Sequence, residues 1–255
     1  MLLRTVPARE GLLWMRQGFV WLLRQPWRAL ALVGVYVLGV ALLSLVPVLG
    51  GVLPLFVVQL ATTGFMAASR AIDRGQPFSP MLLFDGLRAP SPRPRQLLLL
   101  GLLYVGAVTA VLLLASLIDG GALLRLLLFG QIPAAQVRYG ALLRQAALVA
   151  SVAYIPLSAA FWLAPVLVSW HGMGPWQALF TSSVIVLRNL PAFIVYATQW
   201  FALFIGAPLL LGLLATAVGA NSTVLTLLGV PAAIAMMLAF ILSFYASARS
   251  LLPES

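Results

Sequence analysis

The hydrophobic positions of this chain form long continuous runs rather than an alternating pattern, and such runs predict membrane-spanning segments. Six runs are long enough to cross a bilayer, and none carries a charged residue near its middle. Because lipid offers the backbone no hydrogen-bonding partners, continuous apolar runs favour helices over a barrel. The predicted spans cover residues of about 29–49, 52–68, 97–118, 145–170, 191–217 and 225–248.

Residues 8–25 show a different pattern, in which the polar positions gather on one side of a helix. At about 100° per residue, a narrow arc of about 120° holds five polar side chains, namely Arg9, Glu10, Arg16, Gln17 and Arg24. Trp14 and Trp21 lie at the border of this arc. The pattern is typical of a helix in the membrane interface, with both indoles at the headgroup level.

Shorter segments between the spans also predict helices. Ser79 followed by Pro80 is a helix start, and it predicts a short surface helix over Pro80–Arg88. A second amphipathic segment covers Pro175–Arg188. The apolar segment Leu123–Phe129 is too short to cross a bilayer, so it is either interfacial or re-entrant.

A weak internal repeat accompanies this pattern. Three times, an amphipathic segment that ends in Arg precedes a pair of spans, at Arg24, Arg88 and Arg188. One interpretation is a threefold repeat of an interfacial helix plus a hairpin. The other is that Arg precedes every inward-facing hairpin as a topology signal. The sequence leaves both open.

The distribution of Arg predicts the orientation of the chain. With the N-terminus inside, twelve Arg fall on the inner side, whereas three, Arg125, Arg138 and Arg144, fall outside. The positive-inside rule then places both termini in the cytoplasm. The predicted fold is therefore all-α: a single integral membrane domain of about six transmembrane helices, with amphipathic interfacial helices on the cytoplasmic surface. The Arg- and Trp-rich start of the chain does not resemble a cleavable signal peptide.

Composition narrows the function further. The chain is 63% hydrophobic and 8% charged, whereas soluble domains carry about 25% charged residues. All 15 basic residues are Arg, and because they flank apolar spans we interpret the net charge of +10 as topology signal and anionic-lipid contact rather than nucleic-acid binding. There is no Cys and one His, so we expect neither a cofactor nor a metal site.

Two sets of residues are candidates for a site. Polar side chains within spans could line a pocket for a solute or lipid: Gln59, Thr62, Thr198, Gln199 and, beside them, Trp200. The alternative is ordinary hydrogen bonding between helices, worth about 0.6 kcal/mol each. Five Arg could bind anionic lipid, and the alternative for them is topology signal alone: Arg9, Arg16, Arg24, Arg93 and Arg95.

No residue pattern indicates an enzyme. The acids lie at membrane edges or in loops, and none has a partner that the sequence identifies. His171, after the fourth span, lacks an orienting group and is expected to be an interfacial polar residue. Asp85 and His171 would both be cytoplasmic, so they could meet in space.

Six short motifs occur along the chain: T-V-P-A-R-x-G-x-x-W (Thr5 to Trp14), G-F-M-A-A (Gly64 to Ala68), D-G-G (Asp119 to Gly121), F-W-x-A-P-x-L-V (Phe161 to Val168), A-L-F-x-S (Ala178 to Ser182) and R-N-x-x-A-F (Arg188 to Phe193). Together and in this order they resemble a family of uncharacterised inner-membrane proteins of Gram-negative bacteria. The architecture is also similar to the membrane domain attached to some glycerophosphodiester phosphodiesterases, but we expect no phosphodiesterase domain in this sequence. The resemblance implies no activity and supplies no catalytic residues.

The sequence therefore predicts a non-enzymatic inner-membrane protein that acts as an accessory or scaffold subunit. Its expected partners are the phospholipid bilayer and other membrane proteins in a larger complex. The alternative is a transporter or channel that carries a small or lipid-like solute along an uncharged path.

Overall fold

A computed structural model describes residues 4–47, 49–88, 93–131, 136–217, 219 and 222–252. Regular structure in these residues is helical, and six of the segments are long and apolar enough to cross a membrane. The predicted all-α membrane fold is confirmed. The helices are α1 (Glu10–Arg24), α2 (Pro26–Ser44), α3 (Leu53–Asp73), α4 (Asp85–Arg88), α5 (Arg93–Asp119), α6 (Ala122–Phe129), α7 (Gln136–Trp162), α8 (Ala164–Ser169), α9 (Pro175–Arg188), α10 (Leu190–Ala217) and α11 (Ser222–Leu251).

The candidate spans are α2, α3, α5, α10, most of α11, and the pair formed by α7 and α8. Over the predicted short helix Pro80–Arg88, the structure has a 3-10 turn, Pro80–Phe84, that leads into α4. Its position on the membrane surface stays a prediction. Its start is as expected, because the Ser79 hydroxyl accepts a hydrogen bond from the Met81 amide at 3.3 Å. The segment around Leu123–Phe129 is the helix α6. The threefold repeat stays a prediction.

The chain forms two compact units. Unit 1 comprises Met1–Val33, Phe65–Leu82 and Ile185–Ser255, and unit 2 comprises Gly34–Gly64 and Leu83–Val184.

In unit 1, α1 lies against both α10 and α11. The approach is close because α1 presents Gly11 to the carbonyl of Ala192 and Gly18 to the carbonyl of Ala239. Even one β-carbon at either glycine would overlap the facing backbone, so the sequence has small residues where the helices cross.

The two Trp side chains of α1 are predicted at the headgroup level, and the structure shows that they are enclosed by protein rather than open to lipid. Trp14 and Trp21 are almost fully buried. Trp14 packs edge-on against Phe193 and Tyr196 of α10, and Trp21 packs against Tyr245 of α11. Both rings are enclosed by protein because α1 packs with its Trp side inward, onto α10 and α11.

In unit 2, α5 packs against α6, α7 and α8. Near the α5–α6 turn the core consists of small and aliphatic side chains, namely Leu112, Ala115, Leu123, Leu128 and Ala146. Asp119 is the last residue of α5, and its side chain contacts the start of α6. Its carboxylate accepts hydrogen bonds from the amides of Gly121 at 2.8 Å and Leu123 at 2.7 Å. The turn is tight because Gly120 and Gly121 adopt positive φ angles of 64° and 83°.

Unit 2 also contains a helix break that is supported by a side chain. The hydroxyl of Ser182, on α9, accepts a hydrogen bond from the Leu163 amide at 3.0 Å and donates to the Ala159 carbonyl at 2.8 Å. In an uninterrupted helix that amide and that carbonyl would bond to each other. The hydroxyl is therefore inserted between α7 and α8, just before Pro165, which is a recognised cause of helix kinks.

Candidate functional site

A groove of about 350 Å³ lies between α1 and α11 in unit 1. We call it the α1 groove. Cationic, polar and apolar side chains share its walls: Glu10, Leu13, Trp14, Arg16, Gln17, Val20, Arg24, Ala246, Arg249 and Ser250.

The α1 wall follows from the spacing of its residues. Glu10, Leu13, Gln17, Val20 and Arg24 recur every three or four positions, so they form one stripe along the helix. The stripe is fixed in place because the neighbouring Trp14 is buried, and its indole Nε1 donates to the Ser250 hydroxyl of α11 at 2.9 Å.

Three guanidinium groups line the groove. Arg249 of α11 is held by unit 1: its Nη1 donates to both carboxylate oxygens of Asp73 at 2.7 Å, and its guanidinium carbon lies 5.7 Å from the centre of the Trp21 ring. Arg16 and Arg24 are exposed. Neither of them makes a side-chain hydrogen bond or ion pair with any residue that the structure describes. The groove therefore combines one oriented cation with two that are free to meet a ligand.

The five predicted lipid-contacting Arg do not share one site. Arg16 and Arg24 line the α1 groove, whereas Arg9 is exposed and is absent from its lining. Arg93 and Arg95 belong to unit 2, where they lie in the first turn of α5.

Sequence reasoning did not identify Arg249 or Glu10 as site residues. The only signal for Arg249 was its position after the last span, which indicated a membrane edge. Glu10 was recognised as part of the polar arc of α1 and was given no role. In the structure, Arg249 and Glu10 line the α1 groove together with the predicted Arg16 and Arg24.

Aromatic side chains fill the space between α1, α10 and α11. Trp200 is 2% exposed and contacts the rings of Phe19, Phe204 and Phe240 at centroid distances of 5.6, 5.5 and 5.1 Å. Its Nε1–H is buried near the Tyr196 hydroxyl but is not aligned to donate a hydrogen bond to it. Trp200 therefore serves as a packing residue within unit 1.

The predicted polar pocket divides between the two units. Gln59 and Thr62 lie in unit 2, whereas Thr198, Gln199 and Trp200 lie in unit 1. Two of these side chains bond to their own helix: the Thr62 hydroxyl donates to the Val58 carbonyl at 2.7 Å, and the Gln199 amide donates to the Val195 carbonyl at 2.9 Å. Thr198 is exposed, and Gln59 is buried with its Oε1 unpartnered. The pocket stays a prediction.

Asp85 and His171, the two residues that could have met in space, form no ion pair in the part of the chain that the structure describes. Asp85 is exposed. Both ring nitrogens of His171 are buried without a hydrogen-bonding partner, as is the hydroxyl of Ser169, two residues earlier. Within the ranges that the structure describes, no three His, Cys, Asp or Glu side chains come together as a metal-ligand set.

Comparison with known proteins identifies a relative that is similar over nearly the whole chain. No family model matches the chain, and no solved structure matches it. The chain is 41% identical over 255 residues to a probable inner membrane protein of Burkholderia thailandensis, a match that covers 98% of this chain and 93% of the relative. With its six apolar helices, the chain is a multi-pass inner-membrane protein that belongs to the same family as this Burkholderia protein.

Proposed function

We propose that this protein is a non-enzymatic accessory or scaffold protein of the inner membrane that holds anionic phospholipid in the α1 groove. The observation that supports the proposal is the meeting of Arg16, Arg24 and Arg249, from two helices, around a groove of about 350 Å³. Each Arg near an anionic lipid surface contributes about 1 kcal/mol of attraction.

The groove suits a lipid better than a soluble anion. Leu13 and Val20 supply an apolar wall beside the guanidinium groups, and Leu13 is 45% exposed. A phospholipid presents a phosphate and apolar chains side by side, and this is the combination that the wall offers. By the Arg distribution, the groove would face the cytoplasmic leaflet, where anionic lipids attract basic residues.

The scaffold part of the proposal concerns neighbouring membrane proteins. Lipid held at α1 would form a fixed contact layer between unit 1 and a partner in the bilayer. The transporter alternative receives less support, because Gln199 uses one of its amide N–H groups within its own helix, on the carbonyl of Val195, and Gln59 and Thr62 lie in the other unit.

The test is lipid retention by the full-length chain. The protein is purified in mild detergent, and the bound lipids are identified by native mass spectrometry. The variant R16Q/R24Q/R249Q is expected to lose its retained anionic lipid, while R4Q/R28Q/R88Q, which removes the same charge from exposed positions outside the groove, is expected to keep it. Equal retention by the two variants would exclude the groove as the lipid site.

A further inference from the structure

We infer that the α1 groove selects phospholipids whose phosphodiester headgroup carries a hydrogen-bond donor. Arg16, Arg24 and Arg249 bind the phosphate, and the Glu10 carboxylate accepts a hydrogen bond from the donor. The inference rests on the proposed function and specifies the class of lipid that the groove holds.

The charged side chains of the lining indicate a ligand whose phosphate carries one negative charge. Arg249 is paired with Asp73, so Arg16, Arg24 and Glu10 are the charged lining residues left to meet a ligand. Two guanidinium groups and one carboxylate give this part of the lining a charge of +1. A phosphodiester carries a single negative charge at neutral pH, whereas a phosphomonoester carries about −1.5 to −2. The net charge of the groove therefore fits a diester headgroup.

Glu10 places a negative charge in the groove, which a site for anions in general would not need. It lines the same groove as the three Arg, it is half-buried, and its carboxylate makes no hydrogen bond or ion pair with the part of the chain that the structure describes. A carboxylate accepts hydrogen bonds and repels a nearby phosphate. The ligand atom that faces Glu10 is therefore a donor, either a hydroxyl or an ammonium group.

Glu10 and Arg16 stand at different levels of the groove. They are six residues apart on α1, which corresponds to about 9 Å along the helix axis. Both line the groove, so a ligand that contacts both must present its donor and its phosphate at separate points. A volume of about 350 Å³ is at the lower end for small-molecule sites, so it holds a headgroup, and only the first carbons of the acyl chains reach Leu13 and Val20.

The experiment compares four short-chain lipids on the delipidated full-length protein in detergent, with affinity measured by native mass spectrometry. They are the eight-carbon forms of phosphatidylglycerol, phosphatidylethanolamine, phosphatidylcholine and phosphatidic acid. The choline lipid is expected to bind about tenfold more weakly than the ethanolamine lipid, because its trimethylammonium cannot donate and one hydrogen bond to a charged group is lost. A higher affinity for the glycerol lipid assigns a hydroxyl to Glu10 and agrees with the proposed anionic ligand. A higher affinity for the ethanolamine lipid assigns an ammonium to Glu10 and would contradict the anionic part of the proposed function.

Substitutions then test the role of Glu10. E10A is expected to bring the ethanolamine and choline lipids within about twofold of each other, since the selective contact is worth about one charged hydrogen bond. D85A removes an exposed acid of unit 2 and is expected to leave the ratio unchanged. Thermal unfolding of both variants verifies that they are folded.

The outcomes separate this inference from the proposed function. If the wild-type protein binds choline and ethanolamine lipids equally while R16Q/R24Q/R249Q binds neither, donor selection is wrong and the lipid site stands. Tightest binding of phosphatidic acid would overturn the charge argument. If no lipid affinity depends on the three Arg, both proposals fail.

Discussion

Arg249 and Asp73, 176 positions apart, form a forked contact in which Nη1 of Arg249 donates to both carboxylate oxygens of Asp73 at 2.7 Å. The same carboxylate accepts a hydrogen bond from the Trp21 indole at 3.3 Å. Three segments of unit 1, the end of α1, the end of α3 and the end of α11, are thereby joined at one carboxylate. The contact also fixes the third cation of the α1 groove.

Replacing Asp73 with Asn should change stability and lipid binding in opposite directions. The pair is partly exposed, with side-chain exposures of 43% and 20%, so its loss should cost about 1 kcal/mol or less. The same change raises the charge around the groove by one unit and should increase retention of phosphatidylglycerol. Unfolding midpoints in detergent and lipid retention by native mass spectrometry measure the two effects. R249Q serves as the comparison, because it should lower both.

Two equally buried Trp side chains provide a matched test of a hydrogen bond. Trp14 and Trp200 are each 2% exposed. The Trp14 indole donates to Ser250, whereas the Trp200 indole makes no hydrogen bond of acceptable geometry. W14F and W200F remove the same volume, so their difference isolates the bond, and W14F should be the less stable by about 1 kcal/mol. Equal unfolding midpoints would mean that the Trp14–Ser250 bond contributes nothing.

The close approach of α1 to α11 predicts a large effect from one methyl group. A β-carbon at Gly18 would overlap the carbonyl of Ala239, so G18A must separate the two helices, at a cost of about 1–3 kcal/mol. Gly39 of α2 is a control, because a β-carbon there meets nothing within 4 Å. G39A should leave the unfolding midpoint unchanged or raise it slightly, since Ala favours helices more than Gly does. A G18A protein as stable as G39A would contradict the described packing.

The spans could be predicted from the sequence because lipid imposes helices on long apolar runs. Their ends were harder to place. We predicted the third span from Leu97, but α5 begins at Arg93. Pro94 lies in the first turn of α5, where a missing amide hydrogen has no helical partner to lose. Proline also ends helices, and local composition alone does not distinguish these two uses.

The α1 groove was only partly predictable for a different reason. The polar arc of α1 identified Arg16 and Arg24, because that pattern is local. The second wall comes from α11, more than 200 residues later, and no feature near Arg249 indicates that α1 lies beside it. The burial of Trp14 and Trp21 has the same origin, since amphipathicity does not specify whether a helix packs on lipid or on protein.

Orientation is a further prediction, because the Arg bias favours both termini in the cytoplasm. Reporter fusions at Gly50 and Asp119 should be active on the periplasmic side. Fusions at Gly174 and at either terminus should be active in the cytoplasm. A cytoplasmic signal at Gly50 would reverse the assignment and would place the α1 groove against the opposite leaflet.

The helix break in unit 2 should depend on a single hydroxyl. Ser182 is fully buried and satisfies both the Leu163 amide and the Ala159 carbonyl. S182A would leave the two backbone groups unpaired, at a cost of about 1–3 kcal/mol. The helix cannot simply straighten to recover them, because Pro165 lacks an amide hydrogen and its ring would meet the carbonyl one turn earlier.

The neighbouring serine is the matched control for this change. Ser183 is on the same helix, and its hydroxyl donates to the Leu179 carbonyl at 2.9 Å within α9. That carbonyl already belongs to the helical ladder, so S183A should shift stability by less than about 0.5 kcal/mol. Unfolding midpoints of S182A and S183A in the same detergent measure the difference. If S182A unfolds at the same midpoint as S183A, the hydroxyl does not support the break, and Pro165 alone would account for the kink between α7 and α8.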